Sequence, residues 1–159
     1  MKLVIVGGVA AGASAAAKAR RCNEDAEIVM FEMGPDISYA TCGLPYYLSG
    51  VIPERKNLLI TTAEFFKKRF NVEVRTRHEV LRINRQVQKV VVKNLTTGDV
   101  AEEAYDRLIL STGASAILPP IPGVDLPFVF TLKTLEDTDR IHAFVKNKRP
   151  ENAVVVGGG

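Results

Sequence analysis

Gly7, Gly8, Val9, Ala10, Ala11 and Gly12 stand between an apolar run, Leu3 to Val6, and an alanine-rich stretch. A turn of this kind between a strand and a helix suits phosphate. Gly7 permits the tight turn and Gly12 lets helix and strand pack closely. The helix N-terminus turns free N–H groups and a positive dipole end toward an anion. Val9 takes the place where a middle glycine is usual. Glu32 stands 20 residues after Gly12, at the end of the next apolar run, Glu27 to Phe31. A carboxylate at that distance can accept hydrogen bonds from both hydroxyls of an adenosine ribose. Turn and carboxylate together predict a dinucleotide site.

A second chemistry rests on sulfur. Cys22 and Cys42 are the only cysteines, too few for a disulfide framework, so a reducing cytoplasm is the default location. Cys22 lies in the polar run Arg20 to Asp25 and reads as a bystander. Cys42 begins a stretch, Cys42 to Leu48, that reads as a helical turn able to aim N–H groups at the sulfur. From its residues alone, Cys42 is either an inert packed thiol or a nucleophile that works as the thiolate. Ser14, Lys18 and Arg21 recur at i, i+4 and i+7, so they share one helix face. That face is either a solvated basic end or a phosphate grip, with Arg as a fork and Lys as a point charge. Tyr46 and Tyr47 either line the site or pack a core. His78 and His142 have no partners at metal or triad spacing, and no metal is expected.

The elements that must position these groups follow from period. Leu3 to Val6 is a strand buried on both faces, Ala10 to Arg21 a helix with cations at its end, and Glu27 to Phe31 a second buried strand. This is a βαβ unit with parallel strands. Gly34 to Gly50 is a functional loop, Thr62 to Phe70 a short helix, and Val72 to Thr76 a third strand. From Glu79 to Val100 the pattern alternates around turns at Arg85-Gln86 and Thr97-Gly98-Asp99, predicting an antiparallel β-meander inserted into an α/β domain. Leu108 to Leu110 returns as a buried strand. Pro119 to Gly123 is a stiff exit and Leu135 to Val145 a helix. Ala153 to Val156, followed by Gly157-Gly158-Gly159, repeats the opening strand and turn and is expected to start a second dinucleotide fold. The expected division is 1–118, 119–150 for a linker and helix, and 151–159 for that new strand. On this pattern the chain is expected to be the N-terminal part of a longer protein.

Composition sets the outer limits. The 159 residues are 47% hydrophobic and 25% charged, as in ordinary folded domains. The net charge of +3 is too small and scattered to suggest nucleic acid. No apolar run approaches the roughly 18 residues of a membrane span. Met1-Lys2 and the following apolar residues look a little like a secretory signal, but Gly7, Gly8 and Gly12 interrupt it.

The fingerprint, Glu32, the meander and Leu110-Ser111-Thr112-Gly113-Ala114 together resemble the FAD-dependent pyridine nucleotide–disulfide oxidoreductases. The resemblance covers the whole chain. It implies a Rossmann-like FAD-binding domain interrupted by an NAD(P)H domain that would begin near Asn152, with a C-terminal dimerisation domain beyond. It implies that Met33 joins Glu32 at the cofactor, that Val80 meets the adenine through its backbone, and that Thr112 and Gly113 lie against the phosphate–ribityl side.

The family divides by its cysteines. Dithiol members space them C-x4-C, and here Tyr47 stands where the second would be. Ser38 to Tyr47 resembles the single-cysteine branch: coenzyme A–disulfide reductases, NADH-dependent persulfide and polysulfide reductases, NADH oxidases and peroxidases. Cys-Gly-Leu-Pro-Tyr is most similar to the coenzyme A–disulfide and persulfide members, and Thr41 departs from the Asn frequent before that cysteine. The resemblance implies that Cys42 is the redox thiol, oxidised as a mixed disulfide or a sulfenic acid. It further implies that Ser14, Lys18, Arg21, Ser38 and Thr41 hold a coenzyme A nucleotide. The partners it implies are FAD, NAD(P)H and a small thiol or disulfide, in a homodimer. Three readings stay open: a coenzyme A disulfide, persulfide or polysulfide reductase; an NADH oxidase or peroxidase; or a non-catalytic flavin-binding piece.

Overall fold

The computed structural model describes residues 1–157. The chain opens as β1 (Lys2–Val6), α1 (Ala11–Cys22) and β2 (Glu27–Phe31). Two single-turn 3-10 helices, Thr41–Gly43 and Arg55–Leu58, flank the short α2 (Leu44–Leu48). Then come α3 (Ala63–Phe70) and β3 (Glu73–Arg75). The meander is β4 (His78–Asn84), β5 (Lys89–Asn94) and β6 (Val100–Ala104). β7 (Arg107–Leu110) and α4 (Leu135–Lys148) complete the elements.

The strands form two sheets. A four-stranded sheet runs β3-β2-β1-β7 with every pair parallel, and a three-stranded sheet runs β4-β5-β6 with every pair antiparallel. The continuous apolar character of β1 and β2 has a direct cause in the period of two. Leu3, Ile5, Ile28 and Met30 point to one side, into a core shared with Ala13 and Ala16 of α1 and Phe66 of α3. Val4, Val29 and Phe31 point to the other, against Val90 and Val92 of the meander. Each face of the parallel sheet is therefore covered by a different layer. The α/β class with an inserted antiparallel meander matches the expectation.

Ion pairs fasten the two sheets together. Glu103 of β6 meets Lys2 of β1 at 2.6 Å and Arg75 of β3 at 2.6 Å. Burial pushes the Glu103 carboxyl up, but the hydrogen bonds from Lys2 and Arg75 outweigh it and leave it below its ordinary value. On the helical side, the Arg20 guanidinium donates to the carbonyl oxygens of Phe70 at 2.8 Å and Asn71 at 2.9 Å, tying the end of α3 to α1.

One local expectation changes. The helical turn expected from Cys42 begins instead with the Thr41–Gly43 3-10 turn, and α2 proper starts at Leu44. Pro45, with its fixed φ and no N–H to donate, fits the first turn of that helix, where the donor has no partner in any case. Ala153 to Val156 does not form a strand: Val154, Val155 and Val156 are 88%, 84% and 92% exposed. An apolar run becomes a strand only when another strand takes its N–H and C=O groups, and among the described residues none lies beside it. Gly158 and Gly159 of the expected second glycine turn lie outside the described residues.

Candidate nucleotide and thiol site

The turn from β1 into α1 is shaped by backbone packing. Gly7 has φ +94°, a left-handed conformation, and donates its N–H to the Phe31 carbonyl at 2.8 Å. A Cβ at Gly7 would overlap the Ser111 carbonyl oxygen, and one at Gly12 would overlap the Gly7 carbonyl oxygen. The first glycine thus lets the turn nest against the end of β7, and the last lets α1 close on the turn.

Glu32 completes this turn from the neighbouring strand. Its Oε2 accepts from the Gly8 N–H at 2.6 Å and its Oε1 from the Gly34 N–H at 2.8 Å. The carboxylate is half-buried. Each oxygen takes one bond from the chain, so acceptor capacity remains for a ligand's hydroxyls. The Glu32 carbonyl accepts from the His78 N–H at 2.9 Å, which places Val80 two residues beyond that bond. The β4–β5 register slips between Val80 and Arg82, a bulge beside Val80. Thr112 and Gly113 are exposed and follow Ser111, whose N–H donates to the Val6 carbonyl at 2.7 Å. The expected cofactor residues of the turn, of β2 and of β7 therefore converge at one end of the parallel sheet. Met33 lies beside them and is exposed.

The entry to α1 offers donors that the chain leaves free. Its N-cap is Ala10, without a side-chain cap bond, and its first turn carries no acidic residue. Alanine is a poor cap, and a 12-residue helix leaves its first N–H groups without internal partners. Uncapped N–H groups beside a carboxylate with free acceptor capacity offer the kind of donor and acceptor set that suits the ADP half of a dinucleotide.

Cys42 stands apart, on a segment that folds over the turn. Ser38, at φ +49°, donates its N–H to the Gly8 carbonyl at 3.1 Å and accepts from the Ile60 N–H at 2.8 Å. Ala40 donates to Leu58 at 2.8 Å, and Tyr39 bridges Leu59. Cys42 then emerges exposed. Beneath it, a Cβ at Gly43 would lie 2.7 Å from Leu58 Cδ2, so the cysteine turn sits directly on the Arg55–Leu58 turn. Leu44, Leu58 and Leu135 form a separate small core, with Tyr39, Tyr47, Ile52 and Leu59 around it. Burial pushes the Tyr39 phenol above its ordinary value.

Tyr47 packs into this core and stacks on His142 of α4 with ring centroids 5.0 Å apart, while Tyr46 is exposed. The structure therefore gives His142 a packing role. His78 Nδ1 lies 2.7 Å from the Thr76 carbonyl oxygen. Ser14, Lys18 and Arg21 are all exposed on α1, and none of the three forms an ion pair among the described residues. Thr41 is exposed and Ser38 half-buried. Cys22 is exposed at the end of α1. Among the described residues there is no group of three metal-ligating side chains, and no helix long and apolar enough to cross a membrane.

Sequence reasoning missed the groups that hold the cysteine segment. Arg55 donates through Nη2 to Asp36 at 2.6 Å and through Nε to both Asp139 oxygens at 2.9 Å. Burial pulls the Arg55 guanidinium down, but the two carboxylates outweigh it and raise it above its ordinary value. In sequence, Glu54-Arg55-Lys56 reads as a solvated charge run, and no local signal marks its distant partners.

A parallel sheet and a glycine turn locked by a carboxylate from the next strand define a Rossmann-type dinucleotide-binding domain, with an exposed cysteine on the adjoining segment. The chain belongs to the pyridine nucleotide-disulphide oxidoreductase family, whose model matches residues 1–159. It is 43% identical over 158 residues to the coenzyme A disulfide reductase of Staphylococcus haemolyticus, covering 99% of this chain and 35% of that protein. The crystal structure of the reduced Bacillus anthracis protein CoADR-RHD superposes with a TM-score of 0.92 at 51% identity, over 94% of this chain and 27% of that one. An NAD-dependent persulfide reductase from A. fulgidus superposes with a TM-score of 0.87 at 35% identity, over 92% of this chain and 28% of that one. The chain thus spans about a third of the length of the curated relative.

Proposed function

We propose that this chain carries the FAD site and the redox thiol of an oxidoreductase that reduces a coenzyme A disulfide, persulfide or polysulfide with electrons from NAD(P)H. The observation that carries the reading is Cys42: exposed on a tight turn, with Tyr47 packed where a second thiol would stand. The names of the relatives support the substrate class.

In this reading Gly7, Gly8, Val9, Ala10, Ala11 and Gly12 take the pyrophosphate on free N–H groups, and Glu32, with Met33 beside it, takes the ribose. Val80 meets the adenine through its backbone, and Thr112 and Gly113 meet the flavin's phosphate–ribityl side. When bound, FAD supplies two-electron transfer between a nicotinamide hydride and sulfur. Cys42 does the sulfur chemistry. Its thiolate attacks one sulfur of a coenzyme A disulfide, forming a Cys42–coenzyme A disulfide and releasing the first coenzyme A as its thiolate. Two electrons originating from NAD(P)H then cleave that mixed disulfide. The Cys42 thiolate is restored, and the second coenzyme A leaves as a thiol after taking a proton. With one protein thiol, the oxidising equivalent must be stored on the partner. Lys18 and Arg21, exposed with Ser14 on α1, are free to meet the partner's phosphates, and Ser38 and Thr41 lie before the cysteine to meet the rest.

The test uses a chimera in which these 159 residues replace the matching stretch of the Staphylococcus haemolyticus coenzyme A disulfide reductase. Arg21→Ala is expected to raise KM for coenzyme A disulfide about two- to fivefold, the effect of one exposed charge pair. KM for a small polysulfide, which carries no phosphate, should stay unchanged. An equal rise for both substrates would remove the α1 face from the substrate site. Strong NADH-dependent oxygen consumption with no disulfide turnover would favour the oxidase–peroxidase reading.

A further inference from the structure

We infer that Arg55 is a positioning residue that sets Cys42 in register with the nucleotide turn, so that the cofactor and the thiol act as one site. The inference rests on the proposed reading of Cys42 as a redox thiol served by FAD. It goes beyond that reading by naming what couples the two halves.

The route can be followed bond by bond. Glu32 is fixed to the turn through the N–H groups of Gly8 and Gly34. The chain leaves Gly34 and reaches Asp36, whose Oδ2 accepts from Arg55 Nη2 at 2.6 Å. Arg55 opens the Arg55–Leu58 turn, and Leu58 at its end is the side chain pressed under Gly43, next to Cys42. The same guanidinium donates through Nε to both oxygens of Asp139 on α4, the helix whose Leu135 and His142 close the core around Leu44 and Tyr47. One planar cation therefore joins three pieces of chain: the nucleotide loop, the floor of the cysteine turn and α4. All three side chains are partly shielded, with 21–38% exposure, so the charges are less screened than on an open surface. An arginine can fork two carboxylates at fixed angles, and a lysine at the same place cannot. Cys42 itself sits on a single 3-10 turn, with no long helix to hold it. The backbone bonds of Ser38 and Ala40 anchor the chain before that turn, and the Arg55–Leu58 turn beneath sets how the turn itself sits.

The experiment uses the chimera in its FAD-loaded and FAD-stripped forms. Labelling of Cys42 and Cys22 by iodoacetamide is followed by mass spectrometry, with exposed Cys22 as the internal reference. In the parent, bound FAD is expected to slow labelling of Cys42 and leave Cys22 unaffected. In Arg55→Met, FAD is expected to bind as before, because Glu32 is held by backbone donors, yet the protection of Cys42 should be lost. In the same variant kcat for disulfide reduction should fall about 10- to 100-fold with KM unchanged, as for a misplaced reacting group. Parent-level protection in Arg55→Met overturns the proposal. Arg55→Lys and Asp139→Asn each keep part of the fork. Intermediate losses in these support the proposal, and parent-level protection in both overturns it even if Arg55→Met fails to fold. A parent in which bound FAD leaves Cys42 as reactive as before refutes the thiol–flavin reading itself, before any variant is made.

Discussion

The nucleotide turn and the cysteine segment lie next to each other, joined by the Ser38 N–H on the Gly8 carbonyl, and differ in what holds them. The turn is fixed by backbone: Gly7 and Gly12 permit contacts that a Cβ would forbid, and Glu32 is gripped by two N–H groups. Its floor is a parallel sheet buried on both faces. The cysteine segment is tied in by backbone bonds only at Ser38 and Ala40, before the cysteine, and from there on rests on side chains: a three-leucine core, a Tyr47–His142 stack and the Arg55 fork. The contrast can be probed by removing single groups on either side.

The largest effect is expected on the rigid side. Glu32→Ala removes a carboxylate that holds two turn N–H groups and has capacity left for a ribose. Hydrogen bonds to a charged group contribute about 1.5–3 kcal/mol, so FAD affinity in the chimera should fall about 10- to 150-fold. Normal flavin content after purification would sink the assignment of Glu32.

A pair of glycine substitutions sharpens the comparison. Gly12→Ala drives a methyl into the Gly7 carbonyl oxygen, which the backbone cannot move aside. It should cost about 1–3 kcal/mol or more in denaturant unfolding. Gly43→Ala meets the side-chain tips of buried Leu58 and of Ile52 rather than backbone, and should cost less than Gly12→Ala. Equal losses would show that the cysteine segment is as unyielding as the turn.

The smallest effect is expected from the ion pairs at the edges of the two regions. Glu103, which ties the meander to the parallel sheet, and Asp137, which caps α4, both lie below their ordinary values. For Asp137, burial pushes up, while the N–H groups of Thr134 and Lys133 and the Arg140 guanidinium outweigh it. A carboxyl held lower in the folded state contributes stability above its unfolded value, near 4.5 for Glu103 and 3.8 for Asp137. That contribution is lost as pH falls through the folded value. Thermal melts should therefore weaken below about pH 5, and Glu103→Gln should flatten part of that limb. An unchanged acid limb in this variant would leave Glu103 without a net role.

Much of this architecture was legible because it is periodic. Leu3 to Val6 and Glu27 to Phe31 had to be covered on both faces, and the spacing of Glu32 from Gly12 singled out the carboxylate that locks the turn. What could not be read was whatever depends on partners far along the chain. Arg55 meets residues 19 and 84 positions away, and its neighbours in sequence look like solvated charges. His142, without a metal or triad partner, proved to be a platform for Tyr47. Ala153 to Val156 shows what a pattern alone conveys: apolarity marks what can be buried, while a strand also needs a neighbour to pair with.

The central claim is that one protein thiol, Cys42, stores its oxidising equivalent on a sulfur partner. Intact mass spectrometry of the chimera, purified without reductant, tests it most directly. The expected result is a coenzyme A adduct or added sulfur on Cys42, released by reductant, absent in Cys42→Ser and retained in Cys22→Ser. A bare sulfenic or sulfinic acid on Cys42, with no coenzyme A or added sulfur, would contradict the account.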